Sequence, residues 1–354
     1  MINLITELKR LGILDGLSFQ VASVGARDMG EQDFSHLWYE LGEQLTIYNF
    51  EPDEQECQKL AERFTRQGMT HQEIYIPKAL GQRSGQEDFY ITRNPGCSSL
   101  YLPDEDFLGR LSLSRSTSGK FERLKDLNEW TQFARVETVN CSTLDQEIGN
   151  HPIDFIKIDA QGAGLDILRG GEERVLNSLL AIQVEIEFVN LYHGESLFGE
   201  VDTFLRQRGF SLLLIDPSGQ KLRSLTPLVY QRQPSPYFVG QLVWGDVIYY
   251  RDLIQTPDSH PNLPQSLLKL ICVLYCLLPH RFIDICAEYI IYLITHYGDP
   301  QANHLFDLMP IIKDWFQSPD LGLQLSDAEL GETKAWQQLS WAKELAQQIS
   351  TLED

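Results

Sequence analysis

The sequence is poor in positive charge, in paired cysteines and in apolar runs long enough for a bilayer. Lys and Arg number 29 against 50 Asp and Glu, a formal net charge of −21. A surface that negative repels phosphate backbones and anionic lipid, which argues against a nucleic-acid partner. The six cysteines include no Cys-x-x-Cys pair, and Cys272 and Cys276 sit one helical turn apart in an apolar run. That points to buried thiols in a reducing cytoplasm, not to disulfides or zinc. The longest apolar run, Leu270 to Leu278, is too short to cross a membrane. Residues 1–17 carry charges every few positions, so no signal peptide is expected. There is no His-Glu-x-x-His or other metal spacing, no Gly-x-Ser-x-Gly and no P-loop, so neither a metal nor a serine hydrolase is expected. The missing Gly-x-Gly-x-x-Gly counts against a dinucleotide oxidoreductase.

What is present centres on Asp154-Phe155-Ile156-Lys157-Ile158-Asp159-Ala160-Gln161-Gly162. The apolar positions, bounded by Pro152 and Gly162, read as a strand buried on both faces. Such a strand normally avoids charge, yet Lys157 lies inside it and Asp159 at its carboxyl end. Residues two apart share a face. Ligands of open α/β sheets bind at the carboxyl ends of strands, which makes Asp159 a candidate base or acceptor-orienting group. In the next strand, Ala181 to Phe188, Glu185 and Glu187 alternate with apolar residues. Either acid is expected to neutralise Lys157 across adjacent strands, as a structural ion pair or as part of a site. Glu185 could share the duty of Asp159, and His193 in the following loop could reach the same cleft.

The preceding chain supplies a nucleotide-type half-site. Ile2, Ile5, Leu8, Leu11 and Leu14 follow helical spacing and predict a lead-in helix. Phe19 to Gly25 predicts the first strand, its Gly25-Ala26-Arg27-Asp28-Met29-Gly30 turn leading into a helix near 33–41. The second strand, Leu45 to Phe50, runs into Glu51, an acid placed to accept both ribose hydroxyls of an adenosine cofactor. Pro52 stops the strand and Asp53 caps the helix that follows. Ile74 to Leu80 predicts a third strand, and Glu87–Thr92 with Ser98–Leu102 a hairpin around Arg93-Asn94-Pro95-Gly96. Cys97, with no base beside it in sequence, reads as a packed thiol. Residues 104–133, polar, Ser-rich and charged, read as a mobile cover or a helix over the site. Helix 165–179, helix 197–208, strand 210–215 and strand 242–250 complete the sheet, the last reached past Pro234 and Pro236. Beyond a linker at 256–261 the strand pattern gives way to helical stretches near 263–278, 281–297, 301–317 and 326–349. Two units are expected, 1–254 (with 1–17 as lead-in helix) and a helical 255–354 whose apolar faces suit core packing, self-association or a protein partner.

DFIKIDAQGAGLDILRGG (154–171) followed by IQVEIEFVNLYHGESLFGEVDTFLRQRGF (182–210) resembles the FkbM-type methyltransferase family. The likeness extends over residues 19–252. It implies a doubly wound, mostly parallel Rossmann-like sheet with a late antiparallel strand, and an S-adenosylmethionine-dependent enzyme methylating hydroxyls of sugars or polyketides. Ser23-Val24-Gly25-Ala26 resembles the family's first cofactor turn, so Gly25, Ala26 and Arg27 are implied at the cofactor. Glu51 matches its ribose-binding acid, and Lys78-Ala79-Leu80-Gly81 its middle segment, adding Ala79 and Leu80. Asp159 is implied at both cofactor and acceptor. Three departures stand out: Ser23 replaces the family's usual Asp, the second turn glycine is displaced to Gly30, and Gly164 stands where an acid is usual. They keep open a scaffold built on a degenerate methyltransferase fold.

Overall fold

The computed structural model describes residues 2–27, 34–115, 121–123, 131–216, 219–223, 240–255, 257, 260, 262–278, 280–299 and 304–318. The Asp28-to-Asp33 turn, Pro234, Pro236 and the expected helix at 326–349 lie outside them.

The described residues form thirteen strands: β1 (Phe19–Val24), β2 (Leu45–Phe50), β3 (Gln72–Ile76), β4 (Ala79–Leu80), β5 (Gly85–Thr92), β6 (Leu111–Arg115), β7 (Phe121–Arg123), β8 (Phe133–Ser142), β9 (Phe155–Ile158), β10 (Ala181–Glu187), β11 (Ser211–Ile215), β12 (Gly219–Arg223) and β13 (Gln241–Tyr250). Seven of them run β3-β2-β1-β9-β10-β13-β11. The β1, β2, β3, β9 and β10 neighbours pair in parallel, and β13 is antiparallel to both β10 and β11. This is the mostly parallel, doubly wound sheet with a late antiparallel strand. Strand order reverses between β1 and β9, the position where such sheets open a binding crevice.

The expected hairpin is not formed. β5 pairs along its length with the ten-residue β8, and the 98–102 segment meets it through an isolated Tyr90–Ser99 bridge and the Thr92 N–H bond to the Ser98 hydroxyl. A 3-10 turn, Pro95–Cys97, breaks the second arm before it can pair. β4, β8 and β5 form a separate small sheet. The described part of the 104–133 region holds a short helix, Glu105–Leu108, followed by β6 and β7, which extend the main sheet beyond β12. The expected 165–179 helix is two short ones, Gly164–Gly170 and Val175–Ser178. Asp53 does cap the helix Glu54–Gln67, accepting the N–H groups of Gln55 at 3.0 Å and Glu56 at 3.2 Å.

Registered neighbours share a face, so the pairings sort the sheet into two surfaces. One carries Ala22, Val24, Phe50, Ile156, Ile158, Val184 and Ile186, apolar throughout and covered by the crossover helices. The other changes character along its length. Its amino-terminal half holds Phe19, Val21, Ile47, Phe155, Ala181 and Ile248 in one core with the lead-in helix Leu4–Arg10 and the helices Leu263–Leu277, Ile283–Tyr297 and Met309–Gln317. Its carboxyl half holds Ser23, Asn49, Lys157, Gln183, Glu185 and Asp246. The compositional boundary after residue 254 is a change of secondary structure across which packing continues. Lys269 also reaches back to Asp154, at 3.0 Å, just before β9. No helix of the described residues is long and apolar enough to cross a membrane.

Candidate active site

At the switch point the ends of β1, β2 and β9 converge. Gly25 has φ +81°, and a Cβ built on it would lie 1.9 Å from the Asp159 carbonyl oxygen. Only glycine permits that approach. The N–H groups of Gly25 and Ala26 both donate to the Phe50 carbonyl, at 3.0 and 3.2 Å, pinning the turn to the end of β2.

The next residue on β2 is Glu51, 4% exposed. Its Oε1 accepts from the Asp53 N–H at 3.0 Å and from Arg27 Nη2 at 3.1 Å, and Arg27 also meets Asp53 at 3.0 Å. Burial raises the Glu51 pKa, and Arg27 offsets part of that shift. The cleft above these strand ends is lined by Gly25, Arg27, Glu51, Ala79, Leu80 and Asp159, with Phe50, Leu100, Ala163 and Ile167 as an apolar wall. Six of the seven residues expected at the cofactor therefore meet in one place. Ala26 does not line this cleft. It borders a neighbouring cavity of about 360 Å³ on the β2–β3 side, with Asn49, His71 and Glu73.

Beside the cleft lies a bonded group of polar side chains. Gln161 Nε2 donates to Asp159 Oδ1 at 2.8 Å and to Glu185 Oε1 at 2.9 Å. The Gln161 Oε1 accepts from the Tyr192 hydroxyl at 2.8 Å. Burial, then Asp159, Glu187 and Asp246, push the Glu185 carboxyl well above its ordinary value, and Lys157 pulls it back in part. Lys157 stands in register with Ser23 and Gln183, and its charge also offsets part of the rise that burial and Asp159 give the Asp246 carboxyl on β13. The expected partner Glu185 is thus within its field. Burial and then the charge of Glu195 push the Glu187 carboxyl well above its ordinary value, and the two keep one buried oxygen each, Oε1 and Oε2, without a hydrogen-bond partner. Burial raises Glu195 to about 7, although its other oxygen accepts the Leu191 and Tyr192 N–H groups.

Two residues singled out in the sequence stand apart from this group. His193 is exposed; its backbone N–H bonds the Leu102 carbonyl, and the residue is absent from the cleft lining. A loop turned by Gly194 at φ +86° carries it outward. Burial, with Glu185 and Asp159 nearby, pushes the Cys97 thiol up to about 12, the direction of a packed thiol. Gln161, Tyr192, Glu195 and Asp246 were not singled out as site residues from sequence. Gln161 and Asp246 had a readable signal, a polar residue just past or within a strand end. Tyr192 and Glu195 had none, since a loop is what brings them back. Among the described residues no group of His, Cys, Asp and Glu is arranged to hold a metal ion.

Two solved structures align with the chain. One is the structure of the 16S rRNA methylase ArmA, 8% identical over 70% of this chain and 80% of that one, with a TM-score of 0.27. The other is M. capricolum TrmK in complex with its natural cofactor product S-adenosyl-homocysteine, 9% identical over 91% of this chain and 99% of that one, also at 0.27. Superpositions that loose bear no weight. No curated protein matches the sequence significantly. The methyltransferase FkbM domain, however, matches residues 23–212, over half of the 354 residues, and the chain belongs to that methyltransferase family.

Proposed function

We propose that the protein transfers a methyl group from S-adenosylmethionine to a hydroxyl of a sugar or secondary-metabolite acceptor. The observation that carries this reading is that Glu51 and Asp159 line one cleft, with Gly25 between them. The residues present suit the cofactor. Glu51 offers a buried carboxylate for a ribose diol, the glycine turn admits close backbone approach, and Phe50, Leu80, Leu100 and Ile167 offer an adenine an apolar wall. The enclosed space is about 70 Å³, so a nucleoside-sized ligand enters with movement of lining side chains. When bound, S-adenosylmethionine supplies an electrophilic methyl carbon.

The chain's own part is placement and proton management. Orientation alone is worth ~7–11 kcal/mol of barrier, so few residues need act chemically. Asp159 orients the acceptor hydroxyl and holds its proton at a carboxylate oxygen. Ala79 and Leu80 narrow the cleft on the small-sheet side. A concentration of carboxylates around Asp159 favours a neutral or cationic acceptor over a phosphorylated one.

Calorimetric titration of the full chain with S-adenosylmethionine and with NAD tests the cofactor half. Binding of the first alone supports the reading, and binding of neither supports a scaffold on a methyltransferase fold. Labelled methyl transfer into cell extracts, followed by identification of the product, tests the acceptor half.

A further inference from the structure

Gln161 is an unusual residue for its backbone. Its φ is +50°, left-handed, a region that residues other than glycine, Asn and Asp rarely adopt. Strain of that kind persists where the surroundings hold it, and functional sites are where it collects. Here the surroundings hold it on both sides of the residue. The Ser99 hydroxyl donates to the Gln161 carbonyl, and Ser99 is itself buried. The side-chain amide makes three bonds, to Asp159, Glu185 and Tyr192, at 2.8–2.9 Å.

The direction of the amide follows from its partners. Reversed, it would set a carbonyl oxygen against two carboxylates, which repel it. Tyr192 fixes the other end. Its ring is buried, its N–H donates to Glu195 Oε1 at 2.9 Å, and its hydroxyl lies nearer Gln161 Oε1 (2.8 Å) than the Cys97 carbonyl (3.2 Å). The result is a neutral double donor wedged between two acids that would otherwise repel each other or share a proton.

We propose that Gln161 is the positioning residue of this site: its amide sets the rotation of Asp159 and Glu185 by donating one N–H to each, and Tyr192 sets the amide. The clamp keeps both carboxyls as acceptors toward it, which favours their ionised forms and readies Asp159 for an acceptor hydroxyl. The kinetic consequence rests on the methyltransferase reading above. The clamp itself does not.

Two substitutions separate the roles of the backbone and the amide. Gln161→Asn tolerates a left-handed backbone and shortens the reach; Gln161→Glu keeps the reach and replaces the donor by an acceptor. In the full-length protein with no ligand added, ¹³C-carboxyl NMR titration is expected to show Asp159 and Glu185 protonating at higher pH in both variants. With the acceptor found by labelled methyl transfer, kcat at neutral pH is expected to fall ~10²-fold, with a smaller change in the KM for S-adenosylmethionine. Gln161→Glu should regain part of its rate on acidification, when its carboxyl proton restores one donor, whereas Gln161→Asn should not. Tyr192→Phe, which leaves the Gln161 backbone alone, should shift the titration in the same direction by less. Unchanged titration of Asp159 and Glu185 in folded Gln161 variants, or in Tyr192→Phe should the former not fold, would overturn the clamp. Failure of the unaltered protein to bind S-adenosylmethionine would overturn the transferase reading, and the titration would still decide the clamp.

Discussion

A carboxylate as buried as Glu51 loses the stabilisation water gives its charge, and here Arg27 and the Asp53 N–H return part of it. Removing it should therefore be felt in ligand affinity. Glu51→Ala is expected to weaken S-adenosylmethionine binding by ~1.5–3 kcal/mol, the worth of charge-assisted hydrogen bonds, as measured by calorimetry. Unchanged affinity would take Glu51 out of the site. Glu195 makes a different prediction. Its pKa is raised by burial to about 7, so between the ordinary carboxylate range and that value the folded chain binds a proton the unfolded chain has released. Stability must then fall as pH climbs through this window. Thermal unfolding between about pH 5 and pH 8 should show it, and Glu195→Gln should flatten the curve, since an amide there can keep the Leu191 and Tyr192 bonds and donate toward Glu187. A curve that stays as steep in the variant would show that the proton is bound elsewhere. Glu51 was legible in sequence because strand, glycine turn, helix, strand and acid come in fixed order. Glu195 was not, because only the return of its loop against β10 buries it.

Among the elements, β9 bears the most. Its own sequence announced it, through a charge inside an apolar run and an acid at its end. Its neighbours were less visible. Val136–Val139 reads as a short strand, but β8 is ten residues long because β5 pairs with it from Phe133 to Cys141 and β4 with its last two residues, and pairing partners far apart leave no local trace. Asp154, before β9, accepts the Gln20 N–H at 2.9 Å and pairs with Lys269 from the helix Leu263–Leu277. Asp154 is 4% exposed, so removing its cation leaves a buried charge uncompensated. Lys269→Met is expected to cost ~3 kcal/mol or more in urea unfolding, against ~1 kcal/mol for a surface pair. Gly25→Ala should be harsher. The added methyl would meet a β9 carbonyl oxygen at 1.9 Å, so the ends of β1 and β9 must part. Loss of S-adenosylmethionine binding together with a lowered unfolding midpoint is the expected result, and unaltered values of both would mean that the turn is not as tight as drawn.

For the molecule as a whole, one sheet surface serves two ends. Phe155, Lys157 and Asp159 are successive same-side positions, the first sealed under helices, the last open to the cleft. Composition shows the shift to helix after residue 254, but it cannot show that those helices cover β1 and β9. A chain ending at residue 254 would expose Phe19, Val21, Phe155 and Ile248, all at 2% or less in the full protein. It is expected to aggregate or bind a hydrophobic dye, and a monomeric, cooperatively unfolding fragment would refute this. The termini of the described chain are joined as well: the Tyr275 hydroxyl accepts from the Leu4 N–H at 3.3 Å and the Trp315 indole donates to the Ile2 carbonyl at 3.4 Å. Contacts so distant in sequence slow folding. During synthesis the first strand must therefore wait, half uncovered, for helices that begin at Leu263. A chain released before that point is expected to carry every residue of the cleft and no cover for the apolar half of the same sheet surface, so the shape of the cleft is tied to segments that never touch it.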